Sequence, residues 1–195
     1  MINPQTIDEI IEQISANYSA LSPECKTDFK SCVQKSEYKK GYTLVREGQH
    51  SDRLFFIVTG SVKAYYRKND KLITDWFAFE GDFICAINSY FLSIPSPHFI
   101  ELTEDSSLLV VTRDEIIKLC DKHHDFERLS RIAITKTMLQ LQQRIVSLQF
   151  ETAQQKVENL LKAYPHIYNR VSLGDIASFL GITQETLSRV RAGKS

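Results

Sequence analysis

Four polar side chains near the end of this chain have the types and spacing to read nucleic acid. Gln184, Glu185, Ser188 and Arg189 recur at helical spacing and share one side of a short helix. An arginine fork fits the O6 and N7 acceptors of guanine, a glutamine fits adenine, and a glutamate accepts from the cytosine amino group. Thr183 stands where a cap would begin that helix. Arg191 and Lys194 follow as cations suited to phosphate. An ordinary helical hairpin with a solvated polar face would use the same pattern.

The elements that must hold these residues are also written locally. Ser172 is a cap for a preceding helix, with Asp175 three residues on as its capping-box partner. Ile176, Ala177 and Leu180 form the apolar face of that helix, and Leu187 and Val190 answer from the second. Gly181 lies between them, where a tight turn demands a positive φ.

Other chemistry is sparse. The four cysteines, Cys25, Cys32, Cys85 and Cys120, include no Cys-x-x-Cys pair, and none has a histidine at metal-ligand spacing. Four reduced thiols, no metal and no cofactor are expected. The five histidines are His50, His98, His123, His124 and His166, with no His-x-His. No paired-carboxylate or nucleophile signature appears, so an enzyme on a cupin-like barrel, the competing class, is not expected.

Net charge is zero over the chain. From Thr152 onward there are six bases (Lys156, Lys162, Arg170, Arg189, Arg191, Lys194) and three acids (Glu158, Asp175, Glu185), leaving +3 there and −3 elsewhere. That split suits a nucleic-acid module attached to a mildly acidic partner domain. No run approaches the roughly 18 apolar residues of a membrane span. The start of the chain lacks the basic and apolar regions of a signal peptide, so a cytoplasmic location is expected.

Upstream, Ile7, Ile10, Ile11 and Ile14 predict an amphipathic helix over about residues 5–17, and Ser22-Pro23 opens another to about residue 34. From Tyr38, short apolar runs separated by glycines predict an all-β sandwich or barrel: 44–45, 54–58, 62–66, 76–79 and 108–112, with a hairpin turn at 68–71. Helices follow over about 113–120, 125–150 and 153–164. In the longest, Ile134, Met138, Leu141, Ile145 and Leu148 are spaced four, three, four, three, an a/d seam for a second copy of the chain. Ile132, Leu139 and Val146 lie on another face that could cover the β domain. One wide core-facing stripe is the alternative. These boundaries predict a sensor domain over residues 1–124, a dimerisation helix over 125–151 and a helix-turn-helix domain over 152–195.

The segment Gly181-Ile-Thr-Gln-Glu-Thr-Leu-Ser-Arg189 closely resembles the recognition helix of CRP/FNR transcription regulators. The pieces Gly41-Tyr-Thr-Leu-Val-Arg-Glu-Gly48, Leu54-Phe-Phe-Ile-Val-Thr-Gly60-Ser-Val62 and Glu80-Gly81-Asp82-Phe83-Ile84 resemble the β-roll of the same family, in its order and spacing. The chain looks like the Bacteroidetes type, which stops soon after the recognition helix. The resemblance implies an α+β fold: a cyclic-nucleotide-binding-like β-roll (a double-stranded β-helix), a long dimerisation helix, and a C-terminal helix-turn-helix lacking most of its wing. It implies double-stranded DNA, a second copy, RNA polymerase and an unidentified small-molecule effector as partners. It places a TGA-type core in each half-site. A ligand-binding or protein-interaction module with weak or lost DNA binding is the alternative.

The sensor departs from cyclic-AMP-binding relatives. Those carry a glutamate for the ribose and an arginine for the cyclic phosphate. The corresponding positions here are Cys85-Ala86 and Ser96-Pro97. Burying a phosphate without a cation is costly, so cyclic nucleotide binding is not expected. Cys85, Ala86, Ile87, Tyr90, Ser96 and His98 are the candidate effector residues. They allow a pocket for an apolar or aromatic ligand, a collapsed pocket filled by its own side chains, or a haem or metal role for His98.

Overall fold

A computed structural model describes residues 5–193. Two helices open the chain, α1 (Ile7–Asn17) and α2 (Pro23–Cys32). Thr6 and Glu9 form a reciprocal capping box on α1, and Ser22 caps α2 with Pro23 in its first turn. Eight strands follow: β1 (Gln34–Tyr38), β2 (Thr43–Val45), β3 (Arg53–Thr59), β4 (Val62–Lys68), β5 (Lys71–Ala78), β6 (Phe83–Cys85), β7 (Phe99–Leu102) and β8 (Ser106–Thr112). The short α3 (Ile87–Leu92) interrupts them. They pair antiparallel as two sheets, β1-β8-β3-β6 and β2-β7-β4-β5.

Alternation along β3 explains how one strand serves two cores. Phe55 and Ile57 point between the sheets with Val62, Ile100, Leu108 and Val110. Phe56 and Val58 point outward into a second core with Ile10, Ile11, Ile14 and Phe29. A strand covered on both faces reads as a continuous apolar run, which is what 54–58 shows. Asn69 and Asp70 both have positive φ, +49° and +60°, as a two-residue hairpin loop between β4 and β5 requires.

The remaining elements are helical: α4 (Arg113–Lys122), α5 (His124–Phe150), α6 (Ala153–Ala163), α7 (Ile167–Arg170), α8 (Leu173–Leu180) and α9 (Gln184–Arg191). With 27 residues, α5 is about 40 Å long. Its first turns are buried through Phe126 and Leu129 in the helix-covered core. Beyond them Leu139 and Val146 face the β-roll across two open clefts, Leu139 opposite Trp76 and Phe83 and Val146 opposite Trp76 and Phe77, so this stripe lies toward the β domain without closing on it, and Ile132 is half-buried. Polar groups on the same side bond across: Lys136 Nζ donates to the Asn17 carbonyl at the end of α1, and Arg144 Nη2 to the Thr74 carbonyl of β5.

Further differences from the sequence reading concern polar or short pieces. The strands begin at Gln34, not Tyr38, because the polar stretch Gln-Lys-Ser-Glu-Tyr pairs in register along β8 without apolar alternation to betray it. Strand β5 starts five residues before Trp76, and β6, β7 and α7 were not expected as elements. Among the described residues no helix is long and apolar enough to cross a membrane.

Candidate nucleic-acid interface

The last two helices form the expected pair. Ser172 Oγ accepts from Asp175 N, Gly181 closes α8 in the left-handed region at φ +66°, and Thr183 Oγ1 accepts from Thr186 N to start α9. Ile176, Ala177, Leu180 and Leu187 are buried in one core. The capping box proposed for Ser172 and Asp175 is only half made. The Asp175 carboxylate accepts instead from Lys63 Nζ at 3.1 Å, from Thr74 Oγ1 at 3.3 Å and from Ser172 Oγ at 2.7 Å. Asp175 is therefore a docking residue between α8 and the β-roll.

That docking is extensive. Phe77 of β5 and Phe79 just beyond its end belong to the same core as Val157, Leu160 and Leu187. Thr74 N donates to Ser178 Oγ, which donates to the Leu72 carbonyl. Arg144 of α5 donates to the Phe179 carbonyl at 2.7 Å and lies over that residue's ring. Arg170 bridges Glu80 and Glu104 on the β-roll. One side of the helix pair is thus committed inward.

The other side faces solvent. Gln184, Glu185, Ser188 and Arg189 are all exposed, while Leu187 between them is fully buried. Arg189 Nη2 donates to Thr186 Oγ1 at 3.3 Å, which steadies a long side chain at the surface. Glu185 is held below the usual carboxylate range by its own backbone N–H, by the Thr183 hydroxyl and by Arg189, and so stands as a pure acceptor at neutral pH. Gln184 folds its amide over Gly174, where a side chain would come within 2.5 Å of it. Arg191 stacks over the Tyr168 ring. Lys194 lies outside the described residues.

The dimer candidates are brought to one open stripe. Ile134, Met138, Leu141, Ile145 and Leu148 are 36–58 % exposed. Ile134, Met138 and Ile145 are the most open of them, whereas Leu148 reaches the turn at Gly181 and lines the cleft beside α6 and α8.

The effector candidates are dispersed. Ala86, Tyr90, Ser96 and His98 are buried, Cys85 is half-buried, and Ile87 projects outward. Ser96 is structural: its hydroxyl donates to the His98 carbonyl, and its backbone bonds the turn at Gly48 and Gln49. His98 packs edge-on against Tyr66, and burial lowers its pKa, with Asp75 partly opposing. None of the six residues lines either of two clefts along α5, of about 580 and 430 Å³. Spacing along the chain sets no metal-ligand pairing of cysteine with histidine. Folding nonetheless brings Cys25, His123 and Asp125 together, with their ligand atoms within 4.8 Å of one another.

Residues 35–123 match the cyclic nucleotide-binding domain family. No curated protein sequence matches the chain. Similar solved structures include FixK2 from Bradyrhizobium japonicum, with TM-score 0.72 and 22% identity over 83% of each chain. Another is CLP from Xanthomonas campestris, described as a c-di-GMP responsive global regulator, with TM-score 0.68 and 15% identity over 88% of this chain and 91% of that one. A third is a putative regulator of the CRP/FNR family from Eubacterium rectale, with TM-score 0.67 and 15% identity over 89% and 83%. The fold is the one these structures share: a β-roll, which here matches the cyclic nucleotide-binding domain family, a long helix and a C-terminal helical domain. Within this cyclic nucleotide-binding fold, the helix carrying Tyr90 is fixed by Arg113, whose Nη1 donates to the Tyr90 carbonyl and to Ser93 Oγ. The guanidinium nearest α3 among these contacts is therefore engaged with the protein itself.

Proposed function

We propose that this chain is a homodimeric, sequence-specific DNA-binding transcription regulator of the CRP/FNR type, whose sensor does not take cyclic nucleotides. The observation that carries the reading is the exposed polar face of α9, set on a helix pair whose opposite side is anchored to the β-roll. Glu185 and Arg189, four apart, suit a G·C pair. The likeness to the family places that pair in a TGA-type half-site. The open apolar stripe of α5 supplies the two-fold partner. Two-fold symmetry sets half-site centres about one helical turn, or ~10 bp, apart. The domain division at residues 124/125 and 151/152 belongs to this proposal, with Phe77 and Phe79 joining the sensor to the core of the third part. In-vitro selection from random DNA tests the reading. Recovery of a palindrome with TGA-type half-sites is expected, and recovery of no preferred sequence overturns it.

A further inference from the structure

We propose that Cys25, His123 and Asp125 form a divalent-cation site of the zinc class, with Asp28 as the carboxylate that orients the histidine. The Cys25 thiol, a ring nitrogen of His123 and a carboxylate oxygen of Asp125 lie within 4.8 Å of one another. Tetrahedral zinc with bonds near 2.0–2.3 Å sets its ligand atoms roughly 3.5 Å apart, so small side-chain rotations close the set. The three come from separate places in the chain: the first turns of α2, the junction of α4 and α5, and the first turn of α5.

The surroundings prepare each ligand. Cys25 is fully buried and His123 is 7 % exposed, so a cation there would be largely withdrawn from water. Asp125 accepts from Ser22 N at 2.6 Å and Phe126 N at 3.0 Å, which fixes its carboxylate. His123 Nε2 lies 2.7 Å from Asp28 Oδ2, the arrangement in which a carboxylate sets the tautomer of a metal-binding imidazole. With Nε2 held by Asp28, Nδ1 is the nitrogen that a cation would take. A second grouping, Glu24 with Asp28 and His123, is a poorer candidate, since Lys122 Nζ already neutralises it at 2.6 Å from Asp28 and 3.4 Å from Glu24.

The ligand types select the metal. Sulfur, imidazole and one carboxylate suit zinc, whereas magnesium and calcium prefer all-oxygen sets. Three protein ligands leave the fourth position to water. On binding, the thiol gives its proton to solvent and the sulfur becomes a thiolate ligand, with no change in oxidation state. The site would tie α2 to the root of α5, the helix that carries the exposed apolar stripe. A metal signal could thus enter the long helix without passing through the β-roll.

Metal content of the full chain tests this without reference to DNA. The protein is stripped with a chelator, dialysed against zinc chloride, desalted and analysed by elemental mass spectrometry. About one zinc per chain is expected, with Cys25→Ser and His123→Gln each losing more than about tenfold in affinity and Cys120→Ser unaffected. Zinc absent from the wild type, or retained equally by Cys25→Ser and His123→Gln, overturns the site. Should those variants fail to fold, cobalt substitution of the wild type decides: a thiolate-to-cobalt charge-transfer band with intense tetrahedral d–d bands supports the site, and cobalt bound without that band overturns it.

Discussion

Lys63 of β4 and Asp175 of α8 are joined in a nearly buried ion pair, with Nζ 3.1 Å from both carboxylate oxygens and side chains only 11 % and 15 % exposed. Glu101 approaches the same ammonium at 3.7 Å. Removing the cation leaves two carboxylates facing each other in a poorly hydrated seam. Lys63→Met should cost about 3–5 kcal/mol of stability, the scale for breaking a buried pair from one side. Adding Asp175→Asn should restore part of that loss, and a double-mutant cycle by chemical denaturation measures the coupling. Strict additivity would show that the pair does not hold α8 to the sheet.

The same aspartate shows what local reading reaches. The caps at Ser172 and Thr183 and the turn at Gly181 depend on residues within four positions, so the helix pair was legible from side-chain chemistry alone. The competing claim on Asp175 comes from a lysine 112 residues away, which no local pattern encodes. The repeat from Ile134 to Leu148 could be read as one apolar face of α5, and its residues are 36–58 % exposed in the single chain. Periodicity gives the face that carries Leu139 and Val146 but not how closely it meets its partner, and these two residues meet Trp76, Phe77 and Phe83 only across open clefts. Strand β1 is not legible in the sequence, since an edge strand with Lys35, Ser36 and Glu37 has no apolar alternation. Cys25, His123 and Asp125 escaped for the same reason as Lys63: their proximity exists only once α2 packs on the α4–α5 junction.

His98 gives the fold a pH dependence of predictable sign. Burial disfavours its imidazolium, so its pKa lies below the ordinary value of about 6.5. Below that value the unfolded chain takes up a proton that the folded chain refuses. Stability therefore falls as pH drops from the ordinary value toward the lowered one, by no more than about 1.4 kcal/mol per pH unit from this group. His98→Phe, which keeps an edge contact for Tyr66, should flatten the decline between about pH 7 and 5.5. Thermal unfolding across that range checks it, and an unchanged slope in the variant would assign the effect elsewhere.

The open stripe of α5 predicts self-association. Ile134, Met138 and Ile145 are more than half exposed in the single chain. Covering what remains exposed of each is worth about 1–2 kcal/mol. Met138→Glu with Ile145→Glu would set like charges in a desolvated seam and should yield monomer. Light scattering at micromolar concentration reads the result. A wild-type monomer, or a dimer indifferent to both charges, removes this interface.

Cyclic nucleotides should bind poorly. Ala86 is fully buried and Ser96 has its hydroxyl committed to the His98 carbonyl, so neither replaces a ribose acceptor or a phosphate cation. Calorimetry with cyclic AMP or cyclic GMP should detect nothing tighter than about 10 μM, roughly −7 kcal/mol. A tighter isotherm would show that backbone amides alone can carry the phosphate here.

Arg189 decides the DNA reading. Its guanidinium is exposed and tethered at 3.3 Å to Thr186, one helical turn back, and Glu185 stands on the same face with its carboxylate ionised. Bidentate contact with guanine by the arginine and acceptance from the paired cytosine by the glutamate would use both edges of one base pair. Arg189→Ala should cost about 1–3 kcal/mol on a selected palindrome and relax specificity at that guanine. Gln184 sits with its amide over Gly174, so its influence falls on the flanking base, with adenine the expected preference. Lys194→Ala should weaken all sequences alike and slightly flatten the salt dependence, because a phosphate contact carries no sequence information. Gel shifts on matched and single-base-altered sites, at two salt concentrations, separate these effects. Equal affinity of Arg189→Ala and wild type for the selected site would remove α9 as the recognition helix.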